Sequence, residues 1–396
     1  MTPITTTAAL ADFCARTTGG AFVAVDTEFM RETTYWPRLC LIQAASPAAE
    51  AVIDPMAEGL DLAPLLDLLR DERLEKVFHA ARQDVEIFHN LGAIPRPLFD
   101  TQIAAMAAGF GEQIAYDALV RQMLKVELDK SHRFTDWARR PLSDAQLTYA
   151  LADVTYLAEL YPVLRRRLED AGRLAWVGEE MAGLTDPALY DTDPDNAWKR
   201  LRPRRHAARY LAVFRAVAAW RERTAQTRDQ PRGRVLKDDA IDEIASQAPL
   251  NTAGLDSLRA VPKGFSGSRY AGDLLATIAA ALASADSQPA EPSRAPAPRS
   301  PAAGAVVELL KVLLKARAEE AGVASKLIAT VADLERIAQD DASETPALAG
   351  WRREAFGEDA LRLKRGEIAL VLDGDRVTIA PVRRRSQSAE AAASDG

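Results

Sequence analysis

The residues best suited to chemistry are carboxylates. Asp26 and Glu28 stand two apart in the otherwise apolar stretch 21–29 (AFVAVDTEF). Side chains alternate along an extended strand, so residues two apart share a face. Two carboxylates side by side repel by about 3 to 4 kcal/mol at roughly 4 to 5 Å with an effective dielectric near 20. A bound divalent cation would offset that cost. Asp84 follows the short apolar segment 76–79 and falls near the start of a helical pattern. Asp153 lies on the strongly helical stretch 144–164, with Tyr149 four residues before it on the same helical face. Taken singly, each has an ordinary explanation: a solvated sheet face, a carboxylate satisfying a helix dipole, a surface tyrosine beside an acid.

Taken together they form a hard-ligand set in a chain with only two cysteines and four scattered histidines. All-oxygen ligation suits Mg²⁺ or Mn²⁺. Four carboxylates can hold two such ions roughly 3.5 to 4 Å apart, one activating a water and one stabilising the leaving oxygen of an in-line displacement at phosphorus. Tyr149 would then orient the attacking water.

Residues 21–29, 38–44 and 50–54 read as three short strands joined by turns, hence an antiparallel meander. Residues 62–70 have helical spacing, 76–79 form a short strand and 84–91 are helical before Gly92; from about 98 to 172 only helices are expected. The predicted fold class is α/β, a mixed sheet with helices on both faces. Residues 183–196 (GLTDPALYDTDPDN) have little periodicity and read as a linker. From 205 to about 282 the pattern is helical, with Tyr210, Phe214, Val217 and Trp220 among its apolar positions. The Pro-, Ala- and Ser-rich stretch 284–304 reads as an extended linker. Helix is expected again from 306 to about 362, then a hairpin over 368–379 around Asp373 and Gly374, then a disordered polar tail.

A length of 396 residues implies two or three domains. Hydrophobic residues at 48% and charged residues at 27% suit a soluble globular chain, and no apolar run approaches the roughly 20 residues that span a bilayer. The first residues lack the pattern of a secretory signal, and Cys14 and Cys40 offer neither a disulfide framework nor a cysteine zinc site. A cytoplasmic protein is expected. The net charge of −7 argues against a polyanionic partner only as an average, because between 196 and 237 thirteen Lys and Arg face only Glu222 and Asp229. An acidic body joined to a basic segment suits a protein that holds cations at one place and a polyanion at another. The alternative is a solvated, Arg-rich helix face.

VAVDTEF with the later RLCLIQ, KVFHAARQDVEIF, FDTQ, LDKS followed by TDWARRPL, and YALADVTYL resemble the motifs of the ribonuclease D family, within the DEDD exonucleases that carry a motif tyrosine. The resemblance spans about residues 20–170. It implies a ribonuclease H-like exonuclease domain and two-metal hydrolysis, with Mg²⁺ or Mn²⁺, from RNA 3′ ends, releasing nucleoside 5′-monophosphates. Asp26, Glu28, Asp84 and Asp153 are then the metal ligands and Tyr149 the water-orienting residue. All five positions match the pattern. AVAAWRERTAQTRDQPRGRVLKDDAIDEIA is similar to the helical HRDC module, and residues from about 304 to 380 are a divergent second match. The expected layout is an exonuclease domain over 1–183, a linker over 184–204, an HRDC domain over 205–283, a Pro/Ala-rich linker over 284–303, a second HRDC-like domain over 304–382 and a tail over 383–396. The implied partner is RNA with a free 3′ end, such as a tRNA precursor, with no membrane and no obligate protein partner. A DNA-directed exonuclease of the same superfamily and a non-catalytic RNA-binding scaffold are the alternatives.

Expected substrate contacts are Phe29, which could stack on a terminal base or pack in the core, and Lys130, Ser131 and Arg133 in the loop before Trp137. Arg221, Arg228, Arg232 and Arg234 of the basic segment complete the set. His79, His89, His132 and His206 are too scattered to bind a metal together. Asp100 reads as a helix cap, and Cys14 and Cys40 as small buried hydrophobes.

Overall fold

The computed structural model describes residues 2–132, 135–287 and 301–382. After helix α1 (Thr7–Thr17), strands β1 (Phe22–Met30), β2 (Arg38–Ala45) and β3 (Glu50–Ile53) form the expected antiparallel meander. Helix α2 (Ala63–Arg70) leads to β4 (Glu75–Phe78), which pairs parallel with β1. Then come α3 (Arg82–Asn90), β5 (Leu98–Asp100), α4 (Thr101–Ala107), α5 (Tyr116–Leu124), α6 (Asp144–Asp170) and α7 (Leu174–Leu184). The sheet is mixed, in the order β3-β2-β1-β4-β5.

The central strand β1 buries Phe22 through Val25 on both faces, as a strand covered by helices must. Helix α6 starts at a capping box made by Ser143 and Gln146. Its buried residues, from Leu147 through Leu168, recur at helical spacing along one side. Strand β5 departs from the helices-only expectation beyond residue 98. Three residues are too few to show alternation, and this strand exists because the edge of β4 offers Leu98, Phe99 and Asp100 a parallel ladder.

A second core forms under α8 (Ala208–Arg228), α9 (Arg232–Val235), α10 (Asp238–Gln247), α11 (Thr252–Asp256) and α12 (Ala271–Ser287), with Tyr210, Phe214, Val217 and Trp220 inside it. A third lies under α13 (Pro301–Ala321), α14 (Ser325–Ile328), α15 (Val331–Gln339) and residues 350–364. Hairpin β6 (Ile368–Asp373) and β7 (Arg376–Pro381) follows, turning at Gly374 with φ +64° as expected.

The stretch 184–204, expected as a linker, is folded onto its neighbours. It forms two 3-10 turns, Pro187–Tyr190 and Pro194–Arg200, whose N-caps are Asp186 and Asp193. The buried Tyr190 donates its hydroxyl to the Leu184 carbonyl at 2.6 Å, and Arg215 stacks 4.3 Å over Trp198. Asp-Pro caps supply this order without any periodicity. Helix α12 runs on to Ser287 and α13 begins at Pro301. The expected linker between them, and the tail, lie largely outside the described residues.

The third core docks on the first. The Ala324 N–H donates to the Met106 carbonyl at 3.0 Å, and Arg173 donates to the carbonyls of Ala107 at 2.9 Å, Gly322 at 3.2 Å and Ala321. Trp176 and Trp351 stack 4.3 Å apart. Arg352 reaches Glu179 at 2.9 Å and also Glu180. Gly109 has φ +87°, and a Cβ there would stand 2.9 Å from the Gly322 carbonyl oxygen, so this approach requires glycine.

Candidate active site

Strand β4 pairs with β1 only at Phe22, Val23 and Ala24. Asp26 and Glu28 therefore lie beyond the carboxyl end of the parallel strands, where open α/β sheets place their ligands. The ladder between β1 and β2 shifts register at Glu28/Phe29, which pair with Leu41 and Leu39 and leave Cys40 as the extra residue. Helix α6 crosses this end of the sheet and delivers Asp153. Ligand oxygens of Asp26, Glu28 and Asp153 lie within 4.8 Å of one another. Asp84, in the first turn of α3, is buried and accepts the Thr27 hydroxyl at 2.5 Å. Three of the four expected ligands thus converge directly, while the fourth, Asp84, is held by Thr27.

Charge couples all four. Burial first, then the charges of Asp26, Asp153 and Asp84, push Glu28 up to about 9. Burial and the charge of Asp26 push Asp153 up to about 8. Asp26 rises to about 6 through burial, opposed by a hydrogen bond from the Thr27 backbone. Asp84 is raised by burial and by Asp26, against the Thr27 hydroxyl. A cation would relieve every one of these shifts.

Tyr149 lines the same cavity of about 570 Å³, its ring centroid 6.3 Å from that of His132 and 6.1 Å from that of Trp137. His79 also lines it, with Nδ1 at 3.0 Å from the Thr101 hydroxyl and Nε2 at 3.1 Å from the Ile114 carbonyl. Asp100 caps α4 and also accepts the N–H groups of Ala80 and Ala81 at 3.0 and 2.8 Å. Gln43, which ends the RLCLIQ stretch and carries no expected role, pairs with Asp26 across the sheet. It is fully buried with neither amide atom hydrogen-bonded. Its only local signal is an amide in the apolar run LCLIQAA.

The expected substrate contacts fare unevenly. Phe29 sits past the register shift, half-buried and outside the cavity wall. Lys130 lines the cavity but is ion-paired with Asp117 at 2.6 Å. Ser131 donates its hydroxyl to Asp129 at 2.8 Å, and Arg133 lies outside the described residues. Arg228 and Arg234 are exposed. Arg232 donates to Glu222 at 2.6 and 2.7 Å.

Arg221 corrects an expectation. Its side chain is buried and donates to the Leu236 carbonyl at 3.0 Å and to Asp238 at 2.5 Å, so it braces the helical domain rather than facing RNA. The basic segment is also less cationic in space than along the chain. Asp195, Asp238 and Asp239, just outside it, pair with Arg223, Arg221 and Arg204.

Residues 1–169 match the 3′-5′ exonuclease family model, and residues 210–278 match that of the HRDC domain. Ribonuclease D of Nitrobacter hamburgensis is 54% identical over 376 residues, covering 94% of this chain and 98% of that one. Ribonuclease D of Granulibacter bethesdensis is 50% identical, covering 96% of each. Among solved structures, Escherichia coli RNase D, an exoribonuclease involved in structured RNA processing, matches with a TM-score of 0.79. Its identity is 30%, over 92% of this chain and 99% of that one. A mixed-sheet exonuclease domain with a carboxylate centre, followed by an HRDC domain, defines a 3′→5′ exoribonuclease. The chain belongs to the ribonuclease D family. Among the described residues no helix is long and apolar enough to cross a membrane.

Proposed function

We propose that this exoribonuclease trims structured RNAs such as tRNA precursors from their 3′ ends, by two-metal-ion phosphodiester hydrolysis that releases nucleoside 5′-monophosphates, and that it works in the cytoplasm. The observation that carries the reading is the convergence of Asp26, Glu28 and Asp153 within 4.8 Å, in a cavity shared with Tyr149. An oxygen-only donor set, every member pushed toward protonation, fits hard divalent ions such as Mg²⁺ or Mn²⁺.

Asp26, Glu28, Asp153 and, from α3, Asp84 would hold the ions. When bound, such ions lower the pKa of water and neutralise charge developing at phosphorus. The chain's own side chains do the rest. Thr27 fixes one Asp84 oxygen, so the helix carboxylate keeps its place beside the strand pair. Tyr149 positions the attacking water by hydrogen bonding. The cavity volume lies in the range that encloses one small-molecule-sized group, such as a terminal nucleotide. The exposed Arg228 and Arg234 of the HRDC domain meet phosphates farther along the RNA.

The test is digestion of a 5′-labelled stem-loop RNA with a 3′ extension, beside DNA of the same sequence, with Mg²⁺ and with EDTA, and mass analysis of the products. Stepwise shortening of RNA with 5′-monophosphate release, in Mg²⁺ only, is expected. Equal digestion of DNA would make the enzyme DNA-directed, and binding without digestion would make it a scaffold.

A further inference from the structure

The loop between β1 and β2, residues 31–37, begins where the strand carrying Asp26 and Glu28 ends. Its tip leaves its own domain: Tyr35 is buried in the core of the HRDC domain, with Trp36 packed against it. The backbone N–H groups of Tyr35 and Trp36 both donate to Asp229 Oδ1, at 3.0 Å each. Asp229 caps the C-terminus of α8 in the left-handed conformation, with φ +46°. The Tyr35 hydroxyl donates to Glu222 and accepts from Arg232 at 2.8 Å and Gln226 at 3.2 Å. The Arg232 guanidinium lies 4.5 Å over the Tyr35 ring. Glu222, Gln226 and Asp229 are spaced four and three apart, so they form one stripe facing the loop.

Glu222 is fully buried and also takes Arg200 at 2.7 Å and Arg232 at 2.6 Å. A buried charge network of this kind is tolerable only when every member is paired, which confines it to one geometry. At the other end of the loop, Arg31 donates two hydrogen bonds to Glu86, at 2.6 and 3.0 Å. Glu86 lies on α3, two residues beyond Asp84. The loop is therefore tied to the carboxylate centre at one end and to the basic domain at the other.

We propose that this clasp, made by Tyr35 with Asp229 and Glu222, fixes the spacing between the carboxylate centre and the basic domain and so sets where trimming stops on a structured RNA. Tyr35 and Asp229 are positioning residues. The inference rests on the exoribonuclease reading above. Tyr35 follows Glu28 by seven residues, a span of at most about 25 Å when fully extended. Arg228 adjoins the clasp residue Asp229 and is exposed, so a phosphate it holds lies at a set distance from the site. An RNA stem resting on the basic domain can advance only until the single strand between stem and site is drawn out. A loose clasp lets that distance vary.

The test uses the full chain with Tyr35→Phe, Asp229→Ala and Asp229→Asn, Mg²⁺, a 5′-labelled stem-loop RNA with a 3′ extension, and the extension alone as an unstructured strand. The parent is expected to stop at one dominant length. Tyr35→Phe and Asp229→Ala should shift or spread that stop by at least about one nucleotide while digesting the unstructured strand within about twofold of the parent. Asp229→Asn keeps an acceptor oxygen and tolerates the left-handed backbone, so it should restore the parental stop. An unmoved stop in both disruptive variants, or an equal loss on both substrates, overturns the proposal. Should Asp229→Ala not fold, Tyr35→Phe, which keeps the ring, still decides. A parent that trims neither RNA overturns the exoribonuclease reading itself and this inference with it.

Discussion

The Thr27 hydroxyl donates to Asp84 Oδ1 at 2.5 Å, so the residue between the two strand carboxylates is the one that ties down the helix carboxylate. Strand and helix are joined by a hydrogen bond within the site as well as by packing around it. Acids from β1, α3 and α6 are thereby held near one another by rigid elements, the condition for a preorganised centre.

Asp26→Asn should lower the single-turnover rate on RNA at least about 10³-fold, since a lost ion removes several kcal/mol of transition-state stabilisation. In EDTA its melting temperature should equal or exceed the parent's, because one of several mutually repelling charges is gone. Activity within about tenfold of the parent, or an unfolded variant, counts against the metal assignment.

Tyr149→Phe removes a hydroxyl but no charge. The rate should fall by about 10 to 10³-fold. Mg²⁺ affinity measured by calorimetry should hardly change, and a large loss of affinity would show that the tyrosine serves the ions instead.

The acidic centre should make the metal-free protein pH-sensitive. Burial raises Asp26 to about 6, and burial together with the charge of neighbouring carboxylates raises Glu28 to about 9 and Asp153 to about 8, so the fold favours their protonated forms. The stability tied to these groups is fully present below the ordinary carboxylate range, near pH 4, and is lost as pH rises through their folded values. In EDTA, the melting temperature should fall between pH 6 and pH 9, the range those values span. Glu28→Gln, or saturating Mg²⁺, should flatten that fall. Equal slopes for parent and Glu28→Gln would contradict it.

The arginines of the basic segment should divide into two kinds. Arg228→Gln and Arg234→Gln should each reduce the slope of log affinity against log salt by up to about 0.7 to 0.9, with melting unchanged. Arg221→Gln should lower the melting temperature, because it leaves the Leu236 carbonyl without its donor at a cost of about 1 to 3 kcal/mol. Filter binding of RNA across a salt series, with melts of each variant, checks both halves. A salt slope unchanged by the first pair would return those residues to a solvated face.

What could be read from the chain follows the range of the signal. Asp26 and Glu28 share a face through strand alternation, and Tyr149 and Asp153 through helical spacing. Both rules are local, and the structure gathers these residues along one cavity. Strand β5 was hidden because three residues carry no period. The ordered turns at 187–190 and 194–200 were hidden because Asp-Pro caps resemble linker composition. The basic segment looked more cationic than it is because its neutralising partners Asp195, Asp238 and Asp239 fall just beyond its ends. The Tyr35 clasp had no local signal at all, since Asp229 meets it across 194 residues.

The way Tyr35, Trp36 and Trp176 spend their rings has a practical consequence. All three belong to the nuclease half of the chain, yet they pack against residues that come after it: Tyr35 and Trp36 against the HRDC core, Trp176 against Trp351. A fragment ending near residue 196 would keep all five residues assigned to the chemistry while baring three aromatic faces to water. Such apolar patches drive self-association. A soluble minimal nuclease cut from this chain would need those three rings exchanged for polar residues before its turnover could be compared with that of the whole.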